Sequence, residues 1–501
     1  MPLPAVDPRT PVLVGVGTAG GPGEPVELMA EALEAAGRDA GAPSLLAAVD
    51  RIAVPKGTWS YPDPGRLLAR RVGAGEARTT LGEVGVSQQT LVSQALRAVA
   101  GGWSEVAVVA GGEARAWARA AGSVETAQPG ATPDEVEARE PEFFAAPELA
   151  AGMVLPPVQQ YAVIENALWH RQRQAGGPGT GGPGTGGTPA DHRREIADLW
   201  ARFNEVARHN PAAAFGAART AEEIATPTAA NRPLAYPYNK WHASQWTVDQ
   251  AAVLLLCSAE VAHRHGVPAD RWVFPLVGID ANHSVSLSRR RWLDRWPAMG
   301  VLGRAAEARI GRPLAGAEVV EVYSCFPSAV RVQQRELGLS VDGTPTVTGG
   351  MAFAGGPFNN FVYQSTAAVV PRLRERPGTL GLVTTVCGLL TKPGLAVWST
   401  EPDGQPPLLD DLAEEAAAAT PTLDVLDRHD GSATVASFTV TYDGLDPVRV
   451  AVVADVDHRM DHGGRPDRCV AVAEDPALAT LAVAEGLIGT RIAVDGLTFQ
   501  A

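Results

Sequence analysis

What most limits the fold of this chain is a set of short apolar runs that end at glycine pairs or other turn residues. TPVLVGVGTAGG (10–21), SEVAVVAGGEA (104–114) and WVFPLVGIDA (272–281) lack polar alternation. Strands of that kind are buried on both faces. Between them lie segments with apolar residues at helical spacing, such as EPVELMAEALEAAGRDAG (24–41) and QQTLVSQALRAVAGG (88–102). Repeated β-α-β units with such strands predict an α/β fold, a parallel sheet covered by helices.

The rhythm breaks between 115 and 233, which is polar and helical (YAVIENALWHRQRQ, 161–174; ADHRREIADLWARFNEVARHNPAAAF, 190–215). Between those helices, GGPGTGGPGTGG (176–187) has no side chains to pack and reads as a flexible surface insertion. The α/β rhythm returns with VDQAAVLLLCSAEVAHRHGV (248–267) and EVVEVYSCFPSAVRVQQRELGL (318–339), the latter a strand running into a helix. LGLVTTVCGLLTKPGLAVWST (380–400) predicts a hairpin turning near Lys392-Pro393-Gly394. The acidic, alanine-rich stretch 401–422 reads as a linker, and the β-rich segments after it predict a small separate barrel over 420–501.

A length of 501 residues fits more than one domain. A net charge of −14 makes nucleic acid and anionic membrane poor partners. Cys257, Cys325, Cys387 and Cys469 form no CxxC pair and no zinc spacing, so no metal is expected and a reducing cytoplasm suits them. No apolar run reaches membrane-spanning length, and no leader pattern opens the chain. Alanine and arginine dominate over isoleucine and lysine, the bias of GC-rich coding.

Four short segments carry the candidate chemistry: GVSQ (85–88) ahead of a helix, VEVYSCFPSAV (320–330), GGMAFAGGPFNN (349–360) and TVCGLLTKPG (385–394). Their order, with the helical insertion, resembles the thiolase superfamily, specifically thiolase-like, acetyl-CoA acetyltransferase-like proteins related to sterol-carrier-type thiolases that carry an additional C-terminal domain. The resemblance implies two similar βαβαβαββ halves in a layered αβαβα core, a helical loop subdomain that holds coenzyme A, and an OB-like C-terminal domain. The halves then span 1–270, with 115–233 as the inserted subdomain, and 271–402, and the extra domain spans 420–501.

The resemblance also implies a site. The nucleophilic Cys of a thiolase falls on Gly85, so that nucleophile is missing. Ser87, two residues on, is a substitute candidate near the substrate or a plain helix cap. In the second box Tyr323 and Ser324 replace the family's His and acid, while Cys325 and Phe326 match. Cys325 also reads as a small buried hydrophobe. In the third, the family's G-H-P turn has Gly356 for its His. Asn359 and Asn360 follow, as donors in the His's stead or as helix caps. In the fourth, Cys387 lies one residue from the family's second, acid/base Cys. YNKWHASQWTVDQAA (238–252) matches the segment that sets a Ser, here Ser244, against the pantetheine arm, with His242 nearby. Arg193 and Arg194 are candidate phosphate contacts or solvated surface.

Coenzyme A or an acyl-CoA is the ligand this implies, with no covalent cofactor. Without the first thiolate there is no acyl-enzyme and no ordinary thiolysis. The leading reading is an acyl-CoA or CoA-binding protein. A second is a retro-aldol lyase on a β-hydroxyacyl-CoA, with Tyr323 as base and Cys387 or Asn360 as donors. A third is a non-catalytic CoA-ester binder or assembly subunit. Thiolases dimerise through the core, so a homodimer is one expectation and a monomer, if the added domain covers that surface, the other.

Overall fold

The computed structural model describes residues 6–122, 125–139, 143–153, 156–175, 187–460 and 466–501. The Gly-rich repeat, apart from Gly187, lies outside them. The apolar runs form two sheets. The first has six strands in the order β1 (Pro11–Gly20), β8 (Asp249–Ser258), β4 (Val106–Ala114), β2 (Arg51–Pro55), β3 (Arg78–Gly82) and β5 (Glu135–Glu137). The second has β10 (Val319–Glu321), β11 (Leu380–Cys387), β12 (Lys392–Ser399) and β9 (Phe274–Asp280). Neither is purely parallel, which corrects the sequence expectation. β8 lies antiparallel between β1 and β4, and β12 lies antiparallel between β11 and β9. Double-sided burial says nothing of strand direction, and β8 is buried at nearly every position.

Two helices fill the space between the sheets. The helix Gln88–Ala100 packs on β4 and β9, and the helix Phe361–Glu375 packs on β8 and β11. Their N-termini are tied: the amide of Val362 donates to Gln88 Oε1 at 2.9 Å, and the Tyr363 hydroxyl donates to the Gln88 carbonyl at 3.3 Å. The helices Pro25–Asp39 and Pro297–Ile310 cover the outer faces. The layers therefore run helix, sheet, helix, sheet, helix, the expected core.

The turn of the second sheet's hairpin is 388–391, not Lys392-Pro393-Gly394, which lie inside β12 and pair with Cys387, Val386 and Thr385. Residues 401–422 are not a free linker. Leu408 and Asp411 bridge β9 in parallel, and the carbonyl of Leu409 accepts from Arg97 at 2.9 Å.

The inserted region holds the helices Val158–Ala175 and Pro189–Arg208, and the short hairpin β6 (Pro233–Ala235) with β7 (Tyr238–Asn239) follows it. The C-terminal segments form a closed barrel, β13 (His429–Asp443), β14 (Asp446–Met460), β15 (Pro466–Ala473), β17 (Thr498–Gln500) and β16 (Arg491–Gly496), as the OB-like expectation requires. Its β13 lies along the Val158 helix. Among the described residues no helix is long and apolar enough to cross a membrane.

Candidate active site

The four motifs converge where the Gln88 and Phe361 helices begin. Glu321 holds the third motif. It is fully buried at the end of β10, where both hydroxyls of Thr346 and Thr348 donate to its Oε1 at 3.0 Å. The amides of Val347 and Thr348 donate to its Oε2 at 2.7 and 2.8 Å. The turn then runs through Gly349 and Gly350, both at positive φ. A side chain at Gly349 would collide with the backbone of Ala207 at 2.4 Å, and one at Gly350 with Phe203 at 2.6 Å. These glycines press the turn against the Pro189 helix of the insertion.

Gly356 differs in kind. A β-carbon there would lie 2.0 Å from Ser244 Oγ. The amide of Ser244 donates to the Cys325 carbonyl at 3.0 Å, and the amide of Gly356 donates to the Gln245 carbonyl at 2.9 Å. Ser244 Oγ thus occupies the room that a side chain at position 356 would need.

Gly85, ahead of the Gln88 helix, is buried with φ +102°. Its carbonyl accepts from Cys387 Sγ at 3.5 Å and from Lys392 Nζ at 3.1 Å. Ser87 is the N-cap residue of its helix but makes no capping bond, and its buried Oγ has no hydrogen-bond partner among the described residues. The structure therefore gives Ser87 neither the cap role nor a base.

Tyr323, Cys325 and Cys387 come together. Burial raises the Tyr323 hydroxyl far above its usual range, with Cys325 and Cys387 adding to it. Burial pushes Cys325 up to about 12, against a hydrogen bond from Tyr161, and Cys387 up to about 11, against the charge of Lys392. The Tyr323 ring stands edge-on to Phe361 at 5.7 Å. Phe326 stacks on Tyr161 at 4.4 Å.

The asparagines face elsewhere. Asn359, at φ +52°, donates from Nδ2 to the Lys56 carbonyl at 2.7 Å. Asn360 donates to the Gln250 carbonyl at 3.4 Å, and its buried Oδ1 lies over Gly111 without a partner among the described residues. Neither makes a side-chain cap bond to its helix, and neither side-chain amide donates toward the cysteines. His242 is buried and held neutral, its pKa driven by burial to about 3, and Nδ1 accepts from the Asn239 amide at 3.0 Å. Arg193 and Arg194 line a cavity of about 310 Å³ that also holds Asp198 and Glu222.

Three groups at the site escaped the sequence reading. Lys392 was hidden in turn-like composition. Asp280, at the end of β9, is bound by the Thr90 hydroxyl and pushed up to about 6 by burial. Phe143 closes the cluster: its ring lies 2.3 Å from where a β-carbon on Gly388 would be, and Lys392 Nζ stands 5.5 Å from its centroid. Only the rarity of lysine in the chain signalled any of them.

The fold is similar to that of many solved structures, these three among them. A monomeric SCP2-thiolase-like protein type 1 from Mycobacterium smegmatis matches at 28% identity over 99% of each chain, with a TM-score of 0.82. The Ltp2-ChsH2(DUF35) aldolase matches at 21% identity over 79% of this chain and 99% of that one, TM-score 0.56. The dimeric peroxisomal thiolase of Saccharomyces cerevisiae matches at 16% identity over 79% and 98%, TM-score 0.54. No family model matches the sequence, and no curated protein matches it.

Proposed function

We propose that this chain, which carries the thiolase-like fold with an additional domain beyond the core, is a CoA-thioester-binding protein that does not perform ping-pong thiolysis. The observation that carries this is the pair of vacated positions: Gly85, at φ +102°, where a thiolase has its nucleophile, and Gly356, whose side-chain space is filled by Ser244 Oγ. A thioester held at the head of the Gln88 helix meets no thiolate there. Ser244 and the Gly-rich turn are offered as its pantetheine contacts, and Arg193 and Arg194 as phosphate contacts.

The test is equilibrium dialysis of the purified protein with acetyl-CoA and longer acyl-CoAs, with release of free thiol followed alongside. Saturable binding without acetyl transfer to a second CoA supports the reading. Catalytic thiolysis, or the absence of binding, refutes it.

A retro-aldol lyase is the second reading. It is favoured by Tyr323, which is half-buried and whose hydroxyl has no hydrogen-bond partner among the described residues, beside Cys387. One of the similar structures is an aldolase. Release of a ketone and a shorter acyl-CoA from a β-hydroxyacyl-CoA, lost in Tyr323→Phe, would select it. We further propose a monomer, as described for the Mycobacterium smegmatis protein, and a cytoplasmic location, in keeping with four unpaired cysteines. Sedimentation of the pure protein checks the first of these.

A further inference from the structure

Lysine is almost absent from this chain. Of 42 basic residues only Lys56, Lys240 and Lys392 are lysines; the rest are arginines. Where a bias runs so far toward arginine, a lysine marks a place that a guanidinium does not serve. An amine can lose its proton and act as a nucleophile, and a guanidinium cannot. Lys56 and Lys240 are only partly buried, whereas Lys392 is 2% exposed.

Its surroundings are unusual for a buried ammonium. Its one hydrogen bond among the described residues runs to a neutral oxygen, the Gly85 carbonyl, at 3.1 Å. Cys387 Sγ donates to the same oxygen at 3.5 Å. The amine thus stands at the backbone position that would carry a thiolase's nucleophile. Phe143 covers it, with its ring centroid 5.5 Å from Nζ and its edge against Gly388. Burial lowers the pKa of this amine, and Arg139 adds to that, while Cys387 and Asp411 oppose it.

We infer that Lys392 is an acyl acceptor, taking the acyl group of a bound CoA thioester onto Nζ as a stable amide. The Nζ lone pair forms a C–N bond to the thioester carbon. The C–S bond breaks, and the departing thiolate takes the proton that the amine gives up. The products are N-acyl-lysine and free CoA, and no oxidant or other co-reactant is consumed. The amide does not hydrolyse readily, so the event is a single covalent mark that neutralises Lys392 and fills the site. This inference rests on the proposal that the chain binds CoA thioesters.

The experiment incubates the full-length protein with acetyl-CoA at neutral and mildly alkaline pH. Intact mass and peptide mapping locate acetyl-lysine, and equilibrium dialysis measures binding on the same sample. The expected result is one acetyl group at Lys392, gained faster at the higher pH and at least ~10-fold faster than at Lys56 or Lys240, the advantage that a positioned thioester confers. Lys392→Arg should gain no acetyl group at that position. Binding without a mark at Lys392, or labelling spread evenly over the three lysines, overturns the inference and leaves the binding proposal standing. Absence of both binding and mark overturns both. Mapping on the unaltered chain decides the matter even if the variant misfolds.

Discussion

Ser244 Oγ and Gly356 occupy one space: the oxygen lies 2.0 Å from the point a β-carbon on Gly356 would take, with Met351 Cβ at 3.2 Å. A His at position 356 therefore has no room for its side chain in this turn. Gly356→His should destabilise the fold by about 1–3 kcal/mol through overpacking. Ser244→Ala in the same chain should return part of that loss. Thermal unfolding of the two single variants and the double variant reads the coupling, and additive effects would refute the shared space.

Gly85 makes a parallel case at the head of the Gln88 helix. Its φ of +102° is a backbone state that L side chains rarely adopt. Gly85→Cys and Gly85→Ala should each lose about 1–3 kcal/mol, and by similar amounts, because the cost lies in the backbone and not in sulfur chemistry. Denaturant unfolding compares them. A Cys variant as stable as the unaltered chain would mean that the turn readily accepts a nucleophile.

Glu321 links the site to pH. Burial pushes its carboxyl up to about 7 despite four donors. Both backbone amides reach Oε2 and the Thr348 hydroxyl reaches Oε1, while the Thr346 hydroxyl stands 3.0 Å from both oxygens. The folded chain holds the carboxyl proton more tightly than the unfolded chain does. The stabilisation is fully present below the unfolded pKa and is lost as pH rises through about 7. Roughly 3 kcal/mol should disappear across that window. Glu321→Gln mimics the neutral acid and should flatten the pH dependence of the melting temperature. An unchanged slope in the variant would assign the dependence to another group.

The sequence made the layers legible and left their wiring obscure. Apolar runs such as 104–114 located buried strands, because burial on both faces leaves a clear mark, whereas the run from 248 reads as strand or helix alike and forms β8. Strand direction left none, so β8 was not seen to run against its neighbours. Motif order and spacing singled out Gly85 and Gly356, but gave no sign that Ser244, more than a hundred residues away, fills the side-chain space at Gly356. Lys392-Pro393-Gly394 has the composition of a turn, yet pairing with Thr385, Val386 and Cys387 draws it into β12 and aims the lysine at Gly85. Tertiary pairing outweighs local propensity there.

The barrel is joined to the insertion through backbone groups, and that predicts how the chain unfolds. Asn166, in the middle of the Val158 helix, is fully buried and donates from Nδ2 to the Phe438 carbonyl at 2.9 Å and the Tyr236 carbonyl at 3.3 Å. The amide of Tyr236 donates to the Val440 carbonyl at 2.8 Å, and Ser437 Oγ donates to the Val163 carbonyl at 2.7 Å. Tyr236 also stacks on Phe438 with centroids 5.9 Å apart. A barrel merely tethered to the core would leave these groups in water. Here its removal would leave buried carbonyls and an aromatic face uncovered. Asn166→Ala should cost about 1–3 kcal/mol through the acceptors left unpaired. Because the seam joins both parts, the loss should lower a single calorimetric transition rather than one of two. A chain ending before residue 420 should fail to give a soluble folded core. Two separate transitions in the unaltered protein, or a well-behaved truncated core, would show instead that the barrel is an independent module.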